Sequence, residues 1–265
     1  MRVVALGSGS AGNAIALTDG DTTLLVDAGL SAREISRRLA AAGIEAASIS
    51  AILVTHEHGD HVRGIDVFLR RYAHEAALYA TRGTLAAASG LGEGRERAVE
   101  VKPGDTFNVG SFEVIAFPTS HDAAQPVGYV FRAGGMTAGI ATDTGVLSAA
   151  ALEALGGCAV LGLETNHDIE MLERGPYPAH LKRRIRSHAG HLSNEDAAAA
   201  LATLAHDGLT HVLALHRSRT NNTARLAGRS LESSLRRIGA SARVSVASQD
   251  EICDSDPPQQ TLFGD

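Results

Sequence analysis

The stretch Ala51-Ile52-Leu53-Val54-Thr55-His56-Glu57-His58-Gly59-Asp60-His61 decides how the rest of the chain is read. Ala51 to Thr55 is short and apolar, the length of a buried strand. Just beyond its C-terminal end stand His56, His58, Asp60 and His61, three imidazoles and a carboxylate on one tight loop. Imidazole nitrogen and carboxylate oxygen suit divalent metals of the zinc, manganese or iron kind, and alternating positions on such a loop aim several donors at one point.

On the N-terminal side, Arg2 to Leu6, Ala14 to Thr18 and Thr22 to Asp27 read as paired strands. A helix follows, with Ser31 as N-cap, Glu34 completing a capping box, Ile35 and Leu39 on one face and Gly43 as the stop. The glycine-rich Gly7 to Asn13 loop is either a tight hairpin or a set of backbone amides open to an anion. It lacks the Lys-Ser or Lys-Thr of a nucleotide-binding loop.

On the C-terminal side, Val99 to Thr142 is strand-like, with turns at Pro103-Gly104-Asp105, Gly110-Ser111 and Gly134-Gly135. Phe112 to Phe117 leads to His121, Met136 to Thr142 leads to Asp143, and Val212 to Leu215 delivers His216. Strand ends should therefore bring His121, Asp143 and His216 towards the first cluster. Ser193, with Asp196, caps a helix closed by Gly208. The alternation of elements without a Pro/Ser-rich linker predicts one α/β domain over residues 1–248. Residues 249–265 read as a flexible acidic tail ending in a small apolar hook.

With 265 residues, 44% of them hydrophobic and 20% charged, the chain can bury a sizeable core. Its 24 Lys+Arg against 30 Asp+Glu leave a net charge of -6, so no global basic field holds a polyanion and any nucleic-acid contact must be local. Cys158 and Cys253 make neither a disulfide framework nor a metal-type Cys pair. With no membrane-length apolar stretch and no secretory signal, a cytoplasmic protein without membrane contact is expected.

The order His56-x-His58-x-Asp60-His61, then His121, Asp143 and His216 resembles the metallo-β-lactamase superfamily. The resemblance implies a four-layer αββα sandwich with two divalent metal ions, zinc or manganese, at one edge of its sheets. It also implies that His56, His58 and His121 hold the first ion, that Asp60, His61 and His216 hold the second, and that Asp143 bridges them. Two such metals activate water for hydrolysis. Asp60 would in addition orient the attacking hydroxide. Thr55, Thr142 or Asp27 are candidates for fixing the ligand tautomers.

Further segments are similar to one branch of that superfamily, the YycJ-type (WalJ) exonucleases of bacterial DNA repair. They are Gly7 to Asn13, His121-Asp122-Ala123, Glu164-Thr165-Asn166-His167-Asp168, Tyr177-Pro178 with Leu181-Lys182, Gly190-His191-Leu192-Ser193-Asn194 and His216-Arg217-Ser218 with Asn221-Asn222. Thr165 stands where that branch more often has Ser, and so does Gly59. The Gly190-His191 element is similar to one in related RNase-type nucleases, which implies that His191 stabilises the transition state or protonates the leaving oxygen. Lys182, Arg183, Arg184 and Arg186 precede His191, and Arg217 and Arg219 follow His216, local charge that favours a phosphodiester over a β-lactam. Lys182, Arg183, Arg184, His167 and Ser193 are the expected substrate contacts, although His167 could instead hold the loop after a buried strand. His74, His180, His188, His206 and His211 receive no chemistry.

The tail segment Gln259-Gln260-Thr261-Leu262-Phe263 resembles the pentapeptide by which bacterial DNA-processing proteins dock on the sliding clamp, implying contacts through Gln259, Leu262 and Phe263. The expected function is thus a two-metal phosphodiesterase acting on DNA, a 5′-to-3′ exonuclease by resemblance. The alternatives are a metal-dependent ester or thioester hydrolase and a non-catalytic nucleic-acid-binding module.

Overall fold

Val3 and Ala5 belong to one buried cluster and Val4 and Leu6 to another, the period of two that a strand covered on both faces imposes. The computed structural model describes residues 1–256. Its first sheet takes β1 (Arg2–Gly7), β2 (Ala14–Thr18), β3 (Thr23–Val26), β4 (Ile49–Leu53), β5 (Ala77–Thr81) and β6 (Ala98–Val101). The second takes β7 (Thr106–Val109), β8 (Phe112–Pro118), β9 (Val127–Ala133), β10 (Met136–Ala141), β11 (Val160–Glu164), β12 (His211–Leu215) and β13 (Arg243–Val246). A last strand, β14 (Cys253–Asp254), returns to the edge of the first sheet. The strand orders are β14-β1-β2-β3-β4-β5-β6 and β13-β12-β11-β10-β9-β8-β7.

The sheets face each other across a core that includes Leu17, Leu24 and Leu53 from the first and Phe112, Tyr129 and Phe131 from the second. Full burial of each large apolar side chain contributes roughly 1.5–3 kcal/mol. Helices α1 (Ala32–Ala41), α2 (Gly59–Val62), α3 (Ile65–Arg71) and α4 (Arg82–Ala87) accompany the first sheet. Ile35, Leu39, Ile65 and Phe68 of α1 and α3 cover its outer face. Helices α5 (Ala149–Leu155), α6 (Ile169–Arg174), α7 (Ala179–Ile185), α8 (Asn194–Leu204) and α9 (Ala224–Ile238) accompany the second, where Leu155, Leu201, Leu231 and Leu235 pack on Leu161, Leu163 and Val212. The result is the αββα sandwich.

The N-caps at Ser31 and Ser193 form as the sequence predicts, accepting from the Glu34 and Asp196 amides, but Glu34 does not close the expected box, because its carboxylate pairs with Arg37 and Arg38 instead. The Ser193 helix stops at Leu204, four residues before Gly208, where Ala205 turns extended. The domain boundary at Ser248 is corrected. Gln249 is buried, Cys253 and Asp254 pair with Ala5 and Val4 of β1, and Arg2 holds Asp254 at 2.6 Å. An acidic composition therefore hides a sheet edge, because the pairing is with the far end of the chain. Gln259, Leu262 and Phe263 lie outside the described residues. Among the described residues no helix is long and apolar enough to cross a membrane.

Strands β3 and β4 are parallel, as are β10, β11 and β12. Asp27, His56, Asp143, Glu164 and His216 stand at or just beyond the C-terminal ends of these five strands. The Tyr129 hydroxyl ties the layers together beneath them, donating to the Val54 carbonyl at 2.8 Å.

Candidate metal centre

Among the described residues three non-glycine residues adopt left-handed backbone, and all three stand just after strands that feed the site: Asp27, Asp143 and His216, with φ of 59°, 53° and 50°. Such a conformation costs of order 1–2 kcal/mol per residue and persists only where the surroundings hold it. Here each side chain is fixed. Asp27 accepts from the Thr55 amide and hydroxyl, both at 2.8 Å, and lies 2.7 Å from His61 Nδ1. Opposite it, Gly29 lies so close to the Asp60 carbonyl that any Cβ would overlap it, so glycine alone lets the β3 and β4 loops touch.

The structure brings His56, His58, Asp60, His61, His121, Asp143 and His216 into one cluster. His56, His58 and His121 form one compact set of donors, and Asp60, His61 and His216 form another. Asp143 faces both, 3.2 Å from His61 Nε2 and 3.7 Å from His121 Nε2. Within the first set His56 Nε2 and His58 Nδ1 approach to 3.0 Å, and His121 Nε2 lies 3.3 Å from the same Nδ1.

The opposite ring nitrogens already have partners. His56 Nδ1 meets the Thr55 hydroxyl at 3.0 Å, His121 Nδ1 the Gly190 carbonyl at 3.1 Å, and His216 Nδ1 the Glu164 carboxylate at 2.8 Å. These contacts leave the inward nitrogens as donors, the arrangement typical of metal-binding histidines. Two inward atoms, Asp143 Oδ2 and His216 Nε2, are buried without a hydrogen-bond partner. Convergent imidazoles, a central carboxylate and orphaned inward atoms fit a pair of divalent ions. Of the proposed tautomer-fixing residues, Asp27 and Thr55 contact the candidate ligands His61 and His56. Thr142 is buried with no hydrogen bond to a ligand among the described residues.

Electrostatics without ions follow from the same geometry. Burial, reinforced by the neighbouring His61, His121 and His58 rings and opposed by Asp143, holds the His56 ring well below the usual histidine range. Burial also disfavours charge on His61, but the Asp143 and Asp27 carboxylates outweigh it and raise its pKa well above normal. For His216, Asp143, Asp60 and Glu164 overcome burial and push the pKa up to about 10. Burial pushes the Asp60 carboxyl up, and His216 and His61 more than offset it, so Asp60 is ionised at neutral pH. Protons on imidazoles thus balance the buried carboxylates where ions would otherwise do so.

Glu164 is a side chain of the candidate site to which the sequence reading gave no role. It is fully buried at the end of β11, and its Oε1 lies 2.8 Å from both His191 Nδ1 and His216 Nδ1. Its Oε2 accepts from the Thr144 amide at 2.8 Å. A carboxylate ending an otherwise apolar strand, Val160-Leu161-Gly162-Leu163-Glu164, was the available signal. His191 lies 3.7 Å from Asp143 through Nδ1, and its side chain is 19% exposed. It lines a cleft of about 180 Å³ together with Ser10, Asn166, Tyr177 and Arg184.

The expected substrate contacts divide. Arg184 lines the His191 cleft and pairs with Asp122 at 2.6 Å. Lys182 and Arg183, on the same short helix, line a different hollow with Glu173, because successive helix positions point in different directions. His167 and Ser193 are corrected as substrate contacts. Both are buried, their backbones form a bridge, and the Ser193 hydroxyl is occupied by Asp196. The glycine-rich loop is the hairpin alternative, since the amides of Ser8, Gly9, Ala11, Gly12 and Asn13 are all taken by protein acceptors.

Comparison with known proteins bears on the family and the fold. The β-lactamase superfamily domain matches residues 22–216. The exodeoxyribonuclease YycJ of Bacillus anthracis is 37% identical over 258 residues, covering 97% of this chain and 96% of that protein. The exodeoxyribonuclease WalJ of Streptococcus pneumoniae is 35% identical over 263 residues, covering 97% and 94%. Among solved structures, the metallo-β-lactamase fold protein YhfI of Bacillus subtilis superposes with a TM-score of 0.70 at 15% identity, covering 96% of this chain and 98% of that one. Zn(2+)-bound PqqB of Methylobacterium extorquens gives 0.70 at 19%, covering 96% and 99%. These two likenesses concern the fold.

Proposed function

Because the chain belongs to the β-lactamase superfamily, and within it to the YycJ/WalJ exodeoxyribonucleases that it matches along nearly its whole length, we propose that it is a two-metal-dependent phosphodiesterase that degrades DNA from 5′ ends. Its setting in this proposal is cytoplasmic DNA repair or replication-linked processing, and its native ions are zinc or manganese. The observation that carries the reading is the Glu164–His191 pair. It sets a protonatable ring, aimed by a buried carboxylate, beside a seven-donor metal cradle and on the wall of a cleft that also receives Arg184.

His56, His58 and His121 would hold one ion and Asp60, His61 and His216 the other, with Asp143 shared. Bound there, the ions supply neutralisation of the phosphate's charge and acidification of water. The remaining work falls to side chains. Asp60, ionised and one quarter exposed, accepts a hydrogen from the attacking water and sets its line of approach. Arg184 and Tyr177 line the cleft where a phosphate and its sugar would lie. As the water oxygen bonds to phosphorus and the bond to the leaving oxygen breaks, His191 passes a proton from Nε2 to that oxygen. Glu164 holds Nδ1 and stabilises the charged ring before transfer.

The test is cleavage of 5′-phosphorylated single- and double-stranded DNA by protein stripped of metal and reloaded with manganese or zinc, beside Asp60→Ala. Metal- and Asp60-dependent cleavage laddering from the 5′ end is expected. Intact DNA in protein carrying two ions per chain would replace this reading with an ester or thioester hydrolase. Sliding-clamp docking through Gln259, Leu262 and Phe263 belongs to the same proposal, supported by the resemblance of the motif. A peptide of residues 255–265 should bind the clamp and lose binding when Leu262 and Phe263 become Ala. Undetectable binding at high micromolar clamp would retire that part.

A further inference from the structure

Ser10 and Ala11 are exposed neighbours at the crest of the glycine-rich loop, and they border different hollows. Ser10 lines the His191 cleft, whereas Ala11 lines a larger groove of about 590 Å³ beside α1 and α3. The groove carries Arg33, Arg63 and Arg71, with Leu30, Val67 and Tyr72 as its apolar surface. Its one lining carboxylate, Glu34, is already taken by Arg37 and Arg38, both at 2.6 Å. The Arg63 guanidinium donates to the Ala11 and Gly29 carbonyls at 2.6 and 3.0 Å, neutral acceptors that leave its charge uncancelled. Arg33 and Arg71 are exposed and have no hydrogen-bond or ion-pair partner among the described residues.

Three uncompensated guanidiniums in one hollow contrast with a chain whose net charge is -6. The partition between the two hollows is firmly built. Gln249 accepts from the Ala11 amide at 2.9 Å and donates to the Gly12 carbonyl at 2.6 Å, while Asn13 spans Gly9. A fixed crest formed by Ser10 and Ala11, with His191 and Arg184 on one side and arginines beside a tyrosine on the other, is a path for a polymer. Cationic walls track phosphates, and an aromatic ring offers a base a stacking face that a duplex keeps covered.

We propose that the groove beside α1 and α3 holds the sugar-phosphate backbone of a single DNA strand that crosses the Ser10–Ala11 crest from the metal centre. The proposal rests on the exonuclease reading above and adds to it where the strand runs and that it runs unpaired. Arg33→Gln/Arg71→Gln removes two charges that support no other contact, leaving Arg63 and the crest intact. Expected for the metal-loaded double variant is a KM for a single-stranded 20-mer raised about tenfold, with a salt dependence shallower by about 1.4 in log-log slope. Turnover of bis(p-nitrophenyl) phosphate, too short to cross the crest, should be unchanged. The rise in KM should be smaller for a blunt duplex.

An unaltered KM and salt slope for the 20-mer would overturn the groove assignment, as would equal loss on the small diester. Equal loss on the blunt duplex would overturn the single-strand assignment. Should the wild-type protein cleave no DNA, the exonuclease reading falls by itself. Fluorescence anisotropy of a labelled 20-mer with the metal-free wild type and double variant then still decides the groove, since equal affinities would refute it.

Discussion

Replacing Glu164 by Gln keeps the shape of the side chain and removes one thing, its ability to accept on both sides at once. The carboxylate accepts from two imidazoles through Oε1 and from the Thr144 amide through Oε2, all at 2.8 Å and fully buried. An amide has one oxygen. If it faces the histidines, the Thr144 N–H is left buried without an acceptor, at a cost of about 1–3 kcal/mol. If it faces Thr144, the amide NH2 meets both Nδ1 atoms and forces the hydrogens onto Nε2, which occupies the nitrogen that His216 would offer a metal. Loss of such an orienting partner costs about 10–100-fold in metal affinity.

The assay has three readouts on Glu164→Gln: melting temperature, stoichiometry and affinity for zinc in competition with a chelator, and kcat on DNA at saturating metal. Either the protein melts lower, or one of its ions binds at least tenfold more weakly. In both cases kcat should fall about 10²-fold, because His191 loses the carboxylate that stabilises its charged form. A double-mutant cycle with His191→Ala separates the routes. If Glu164 acts through His191, the second substitution costs little once the first is made. Wild-type melting, metal affinity and kcat in Glu164→Gln together would refute the reasoning.

Metal binding to the stripped protein should release protons, since the His216 pKa of about 10 leaves that ring charged at neutral pH. Zinc titration calorimetry at pH 7.5 in two buffers of different ionisation enthalpy should report at least about one proton per chain, and buffer-independent heats would contradict this. Burial pulls the His167 pKa down to about 4. Its folded-state pKa lies below the unfolded one, so the unfolded chain binds more protons between the two values and stability falls as pH drops through that window. About 2 kcal/mol should be lost between pH 7 and pH 5 from this group, and His167→Gln should lose correspondingly less in denaturant melts at the two pH values. Truncation after Ser248 removes the three Gln249 hydrogen bonds, to Ala11, Gly12 and Arg38, together with β14, and should cost at least about 2 kcal/mol, with truncation after Asp256 as the control.

That the candidate ligands would cluster was legible because they stand just past strands that announce themselves by apolar, β-branched residues, and parallel strands end on one side of a sheet. His56, Asp143 and His216 follow β4, β10 and β12 in this way. Glu164 escaped because its role depends on two histidines 27 and 52 positions away, a proximity that spacing does not encode. The basic run from Lys182 to Arg186 looks like one patch in a string of letters, yet a helix of seven residues splits it between two hollows. His167 and Ser193 lie in segments similar to nuclease motifs, yet both are buried, their backbones bridge each other, and the Ser193 hydroxyl caps a helix. The end of the domain was misplaced for a related reason. Composition measures what a segment is made of, whereas Gln249 and Cys253 are held by partners more than 230 residues upstream.

That returning segment also fixes where the enzyme can be gripped. Strand β1 runs towards the metal centre from Arg2 to Gly7, and β14 lies antiparallel to it, so the chain heads back towards the base of the sheet as it reaches Ser255 beside Val3. A leash attached beyond Asp256 therefore takes hold at the heel of the molecule, with the cleft and the arginine groove turned to the other end. An enzyme immobilised there on a sensor surface would keep its mouth open to DNA.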